Sequence, residues 1–342
     1  MLPRYNISQS YDWNYVHAPD VAPDAEVPSY PGEWEFLGIP VNSPLGIPAG
    51  PLLNSRWILY YARLGFDVLV YKTVRSSARA SYDVPNLLPV AARLLTQEGT
   101  EIEADPHAAD PHTWAISFGM PSRAPDAWRA DVEHARRGLG KGQVLAVSVV
   151  ASPQPGWTVD DLARDFAQCA VWAAESGAQV VEANLSCPNV CTQEADLYLD
   201  AKAAEVIAAE LRARVPHLPV ALKVGLFPND EQAEALVEAV SPYADGLSSA
   251  NSITAVVRGE FGGLRRGIGG AAITQRCREE MSLLKRIVDR RGSRLRLIGV
   301  GGIMNAEHVR ERLDAGAHAV HLGTAPMLDP KIGLKIRREI SL

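Results

Sequence analysis

Cysteine is scarce in this chain, with four thiols, Cys169, Cys187, Cys191 and Cys277, among 342 residues. Their low number and irregular spacing exclude a disulfide framework and suit a reducing compartment. Zinc is excluded too, because Cys187 and Cys191 have no second Cys/His pair at a suitable spacing. No cysteine run matches iron-sulfur ligation. Lysine is also rare, at seven residues, and the net charge is −6 without any block of Lys or Arg. That balance argues against a nucleic-acid stripe or a polybasic membrane patch. No apolar run is long enough to span a bilayer, and the polar, Pro-rich stretch from Met1 to Tyr30 lacks a signal peptide's apolar core. The expectation is a cytosolic protein that touches neither nucleic acid nor membrane and whose partner is a small molecule.

What the chain does have is an eightfold alternation of short β-branched apolar runs with longer amphipathic segments, as expected of parallel strands buried on both faces and joined by crossover helices. Strands are predicted over Pro44 to Gly50, Asp67 to Thr73, Val144 to Val150, Gln179 to Asn184, Val220 to Gly225, Gly246 to Asn251, Leu295 to Gly301 and Ala319 to Thr324. Apolar spacing of three and four predicts helix over Asp160 to Ala170 and over Asn305 to Leu313. Asn229 or Asp230 should cap the fifth helix and Asn305 the seventh. The pattern predicts one (β/α)8 TIM barrel over 35–342, preceded by an N-terminal extension, 1–34. Two stretches break the period: Val74 to Pro125, and Ser252 to Gly270 with its six glycines. Both are expected as excursions over the C-terminal face, where barrel enzymes bind substrate.

The predicted strand ends concentrate chemistry. Gly301 and Gly302 end the seventh strand, and Gly323 and Thr324 end the eighth. Glycine lets backbone amides approach a phosphate, and this is where barrels place one. Lys72 and Lys223 fall inside otherwise apolar strands, where an unpaired ammonium is costly. Each needs an anionic partner, either a ligand or a strand-end acid such as Glu182. Asn184, Asn189 and Asn251 are carboxamides able to donate and accept towards an imide-bearing ring, although a single Asn there is usually a turn residue. Cys187 stands between them, either as a small buried hydrophobe or as a base whose thiolate neighbouring donors stabilise.

The stretch Asn184-Leu185-Ser186-Cys187-Pro188-Asn189 resembles the active-site signature of the dihydroorotate dehydrogenase family, and the FMN domain of dihydropyrimidine dehydrogenase carries a close relative of it. The resemblance implies FMN as cofactor, dihydroorotate oxidation in pyrimidine biosynthesis, and Cys187 as the base that takes the C5 proton. Cysteine at that position marks the soluble type. For FMN the resemblance implies Ala49, Gly50, Lys72, Thr73, Ser148, Asn184, Lys223, Ala250, Gly269, Gly270, Gly301, Gly302, Gly323 and Thr324. For substrate it implies Lys72, Phe118, Gly119, Met120, Asn184, Asn189, Asn251 and Ser252. A homodimer is a family expectation, and the re-oxidant could be fumarate, a quinone, or NAD through an electron-transfer subunit. Ile116 occupies the place of the family's usual asparagine and cannot hydrogen-bond, which opens the alternative of another cyclic amide or enone as substrate. A flavin-free phosphate-binding barrel and an idle FMN-binding subunit are the rival readings from other classes.

Overall fold

The β-branched runs pair as parallel strands because their side chains are apolar on both faces, one set filling a lumen and the other meeting helices. In a computed structural model that describes residues 2–20, 23–108, 111–186 and 196–341, eight of them close into a barrel. They are β1 (Leu45–Ile47), β2 (Val68–Val74), β3 (Val144–Val149), β4 (Val180–Asn184), β5 (Val220–Lys223), β6 (Gly246–Ser249), β7 (Arg296–Val300) and β8 (Ala319–His321). Each strand hydrogen-bonds the next in chain order, and β8 returns to β1. All eight predicted strands are present, most of them shortened by one to three residues at their ends.

Eight helices form the outer ring: α1 (Ser55–Ala62), α2 (Pro125–Gly138), α3 (Val159–Glu175), α4 (Ala201–Arg214), α5 (Asp230–Val240), α6 (Thr274–Arg291), α7 (Ala306–Asp314) and α8 (Ile332–Ile340). Their starts are chemically marked. Asn229 accepts from the Gln232 amide at the head of α5, and Asn305 accepts from the His308 amide at the head of α7. Thr158 and Asp161 exchange bonds in a capping box at α3. Among the described residues no helix is long and apolar enough to cross a membrane.

Inward positions alternate along every strand. Val68, Val70, Val144, Ala146, Val180, Ala221, Ile298 and Ala319 fill the lower lumen, which Phe36 and Val41 close from the hairpin Trp34–Phe36 and Ile39–Val41. The two excursions are more regular than the sequence suggested. Strands within them join in one five-stranded sheet, in the order Leu87–Pro89, Thr113–Ile116, Leu264–Gly270, Ile253–Arg258 and Thr100–Glu103. Ahead of the barrel, Tyr5 and Tyr11 pack their rings against Phe118, at 6.1 and 5.7 Å between centroids.

Candidate active site

A cleft of about 950 Å3, counting its open mouth, lies between the C-terminal strand ends and the five-stranded sheet. Lys72 from β2, Asn184 from β4, Lys223 from β5, and Asn251 and Ser252 beyond β6 supply its polar lining. Among the described residues no acidic side chain lines it. Ile273, Ile303, Met304 and Met327 form an apolar wall that the sequence reading did not anticipate.

Local sequence explains how the polar groups are aimed. The β2–β3 register shifts between Tyr71 and Val74, a bulge that re-aims Lys72 and Thr73 at the barrel mouth. Lys72 and Lys223 are 6% and 4% exposed, so each ammonium is nearly withdrawn from water. The Asn184 amide donates to the Met120 sulfur at 3.6 Å and to Thr73 Oγ1 at 3.5 Å, and Thr73 in turn meets Ser148 Oγ at 3.0 Å. Asn251 donates its side-chain amide to the Ser186 carbonyl. That bond ties the end of β6 to the segment running on to Cys187. Cys187 and Asn189 themselves lie outside the described residues.

The glycine turn after β7 is held from behind. Gly301 and Gly302 have φ of +88° and +72°, a region closed to most side chains. Arg312 on α7 donates to the Gly301 carbonyl at 3.0 Å, and Thr274 Oγ1 donates to the Gly302 carbonyl at 2.6 Å. Neither residue was expected from the sequence. Arg75 similarly donates through Nε to the Met120 carbonyl at 3.2 Å, steadying the Phe118 to Met120 segment.

Of the described residues expected at the site, Ala49, Gly50, Lys72, Thr73, Phe118, Met120, Asn184, Lys223, Asn251, Ser252, Gly269, Gly270, Gly301, Gly302, Gly323 and Thr324 line the cleft together. Three further expected residues, Gly119, Ser148 and Ala250, are not among those lining the cleft. Gly119 faces the Tyr82 ring, where a Cβ would come within 2.7 Å. Ser148 lies fully buried beneath Thr73, and Ala250 is packed in the cluster with Ile253 and Ala272. A wider groove at the N-terminal end of the barrel is lined by Asp67 and Arg337, which pair with each other there, and it holds none of the expected site residues.

The family model described as dihydroorotate dehydrogenase matches residues 33–342. The chain belongs to that family. It is 30% identical to the dihydroorotate dehydrogenase of Dictyostelium discoideum, over 97% of this chain and 96% of that protein. It is 24% identical to the catalytic subunit of dihydroorotate dehydrogenase B (NAD(+)) of Staphylococcus carnosus, over 76% of this chain and 81% of that one. The crystal structure of DHODH from Eimeria tenella in complex with ferulenol superposes with a TM-score of 0.76, covering 96% of this chain and 88% of that one at 17% identity, a likeness of fold. The family is one of flavin-dependent oxidoreductases.

Proposed function

We propose that this chain oxidises dihydroorotate to orotate with FMN bound in the cleft. The observation that carries the reading is the lining itself. Among the described residues, two buried ammonium groups and two carboxamides face an apolar wall with no carboxylate, which suits a flat, anionic, heteroaromatic occupant. Gly301, Gly302, Gly323 and Thr324 would hold the phosphate, and Lys72, Lys223, Gly269 and Gly270 the ring. FMN would supply the acceptor for the hydride that leaves C6 of the substrate. Lys72, Asn184, Asn251 and Ser252 would orient the dihydropyrimidine, and Asn189 is assigned the same task by the family pattern. Cys187 would take the C5 proton as its thiolate. A homodimer and an electron-transfer subunit belong to the same proposal, the latter supported by the Staphylococcus carnosus relative being a catalytic subunit.

One observation favours a second substrate. Ile116 lines the cleft with its Cδ1 turned towards Gly269, so this wall offers methyl groups where a hydrogen-bonding side chain would serve an acid or imide. A related cyclic amide or enone would suit it. The absorbance spectrum of the purified protein, before and after anaerobic addition of dihydroorotate, tests both readings. A flavin band that bleaches supports dihydroorotate, a band that persists favours the second substrate, and colourless protein that refuses added FMN overturns both.

A further inference from the structure

Midway up the lumen, between the apolar plug and the cleft, polar side chains lack protein partners. Glu182 is 2% exposed, and its Oε1 accepts no hydrogen bond. Ser248 Oγ and both ring nitrogens of His321 are in the same state. All three point inward, on β4, β6 and β8, because Val181, Leu247 and Val320 beside them pack outward against the helices. Lys223 on β5 stands between the first two. The ladder sets Ser248 opposite Lys223, and sets Glu182 opposite Ala221, one inward position lower on the neighbouring strand.

A buried carboxylate oxygen without a hydrogen bond is expensive, and small apolar residues fill the layer just below without difficulty. Among the described residues, the cation on the strand between Glu182 and Ser248 is the Lys223 ammonium, which reaches up to the cleft. We propose that Glu182 is a positioning residue for the flavin: with Ser248 and His321 it holds Lys223 through bound water, aims the ammonium at the isoalloxazine and offsets part of its charge. The inference rests on the FMN reading above. Burial, aided by the charge of Lys223, pushes His321 down to about 3, so the imidazole adds one donor and one acceptor to this layer without a second positive charge. Water is the fitting bridge because the site is polar and offers several partners.

The test compares wild-type holoenzyme with Glu182→Gln by flavin content, by the dissociation constant of sulfite from the oxidised flavin, and by midpoint potential. Sulfite addition places negative charge on the ring, as reduction does, and Lys223 stabilises that charge more once Glu182 is neutral. Sulfite should bind about tenfold tighter in Glu182→Gln, and the potential should rise by about 30 mV, the tenfold equivalent for a two-electron couple. Glu182→Asp should stay within threefold of wild type, and Glu182→Gln combined with Lys223→Met should lose the gain. Flavin-loaded Glu182→Gln with wild-type sulfite affinity overturns the inference. Should Glu182→Gln fail to fold, the combined variant decides: recovery of folded protein supports Lys223 as the partner, and loss of it overturns the inference. Wild-type protein that binds no FMN overturns the flavin reading and this inference with it, a result distinct from a loaded variant that behaves as wild type.

Discussion

Gly46 faces His321 across the ladder between β8 and β1, and a Cβ on residue 46 would stand 2.4 Å from Cδ2 of the imidazole. The same atom would lie 2.7 Å from the Val68 carbonyl oxygen, which belongs to the backbone and cannot swing aside. The missing side chain is therefore what admits a buried imidazole to the lumen.

Gly46→Ala is expected to destabilise the fold by about 1–3 kcal/mol, the usual cost of overpacking a closed core. Urea unfolding measures it. Adding His321→Ala should recover only part, since the Val68 carbonyl stays in place.

His321 also sets a pH dependence. Its ring is held down to about 3 in the folded protein against an ordinary value of 6.5. Between those values the unfolded chain takes up the proton and the folded one does not. Stability from this group is thus complete above 6.5 and falls as pH drops towards 3, by about 1.4 kcal/mol per unit. Unfolding curves of wild type and His321→Gln at several pH values should differ by that slope, and parallel curves would refute it.

Gly302→Ala should weaken FMN binding at least tenfold. Residue 302 has φ +72°, and its Cβ would lie 2.4 Å from the Thr274 Cα, so the turn must move from the geometry proposed to hold the phosphate. Titrating apoprotein with FMN reads the loss. Gly262→Ala, with a similar φ of +61° but nothing within 4 Å, should bind FMN normally.

Ile116→Asn supplies the hydrogen-bonding group that the cleft wall lacks. One added hydrogen bond of about 0.5–1.5 kcal/mol should raise kcat/KM for dihydroorotate threefold to tenfold. A fall in that ratio would favour the second substrate.

Cys187→Ala should slow bleaching of the flavin by dihydroorotate by about 10²- to 10⁴-fold, the usual range for losing a base, with flavin content unchanged. Stopped-flow absorbance under anaerobic conditions measures it.

The barrel was legible in the chain because each strand is buried on both faces and so reads as an uninterrupted apolar run, as Val68 to Tyr71 and Val144 to Val147 do. The five-stranded sheet was not. Thr100–Glu103 is four residues long and mostly exposed, and Leu264–Gly270 is rich in glycine, so neither carries a two-residue hydrophobic period. Lys72, Lys223 and Asn184 were legible because a polar residue inside an apolar run is anomalous wherever the run lies.

Arg312 was hidden for the opposite reason. Between Val309 and Leu313 it reads as a solvent-facing charge on an amphipathic helix, yet it is buried and grips the Gly301 carbonyl. Ser148 and Ala250, which the resemblance implies as flavin contacts, are fully buried and lie outside the cleft lining, a depth that spacing along the chain does not show. By itself the sequence determined that eight strands alternate with helices and which polar residues sit at their ends, because both follow from spacing along one chain. Only the tertiary structure decided which of those residues share a cavity, and that Glu182, Ser248 and His321 meet in one layer, because that depends on strand register and on what packs across the lumen.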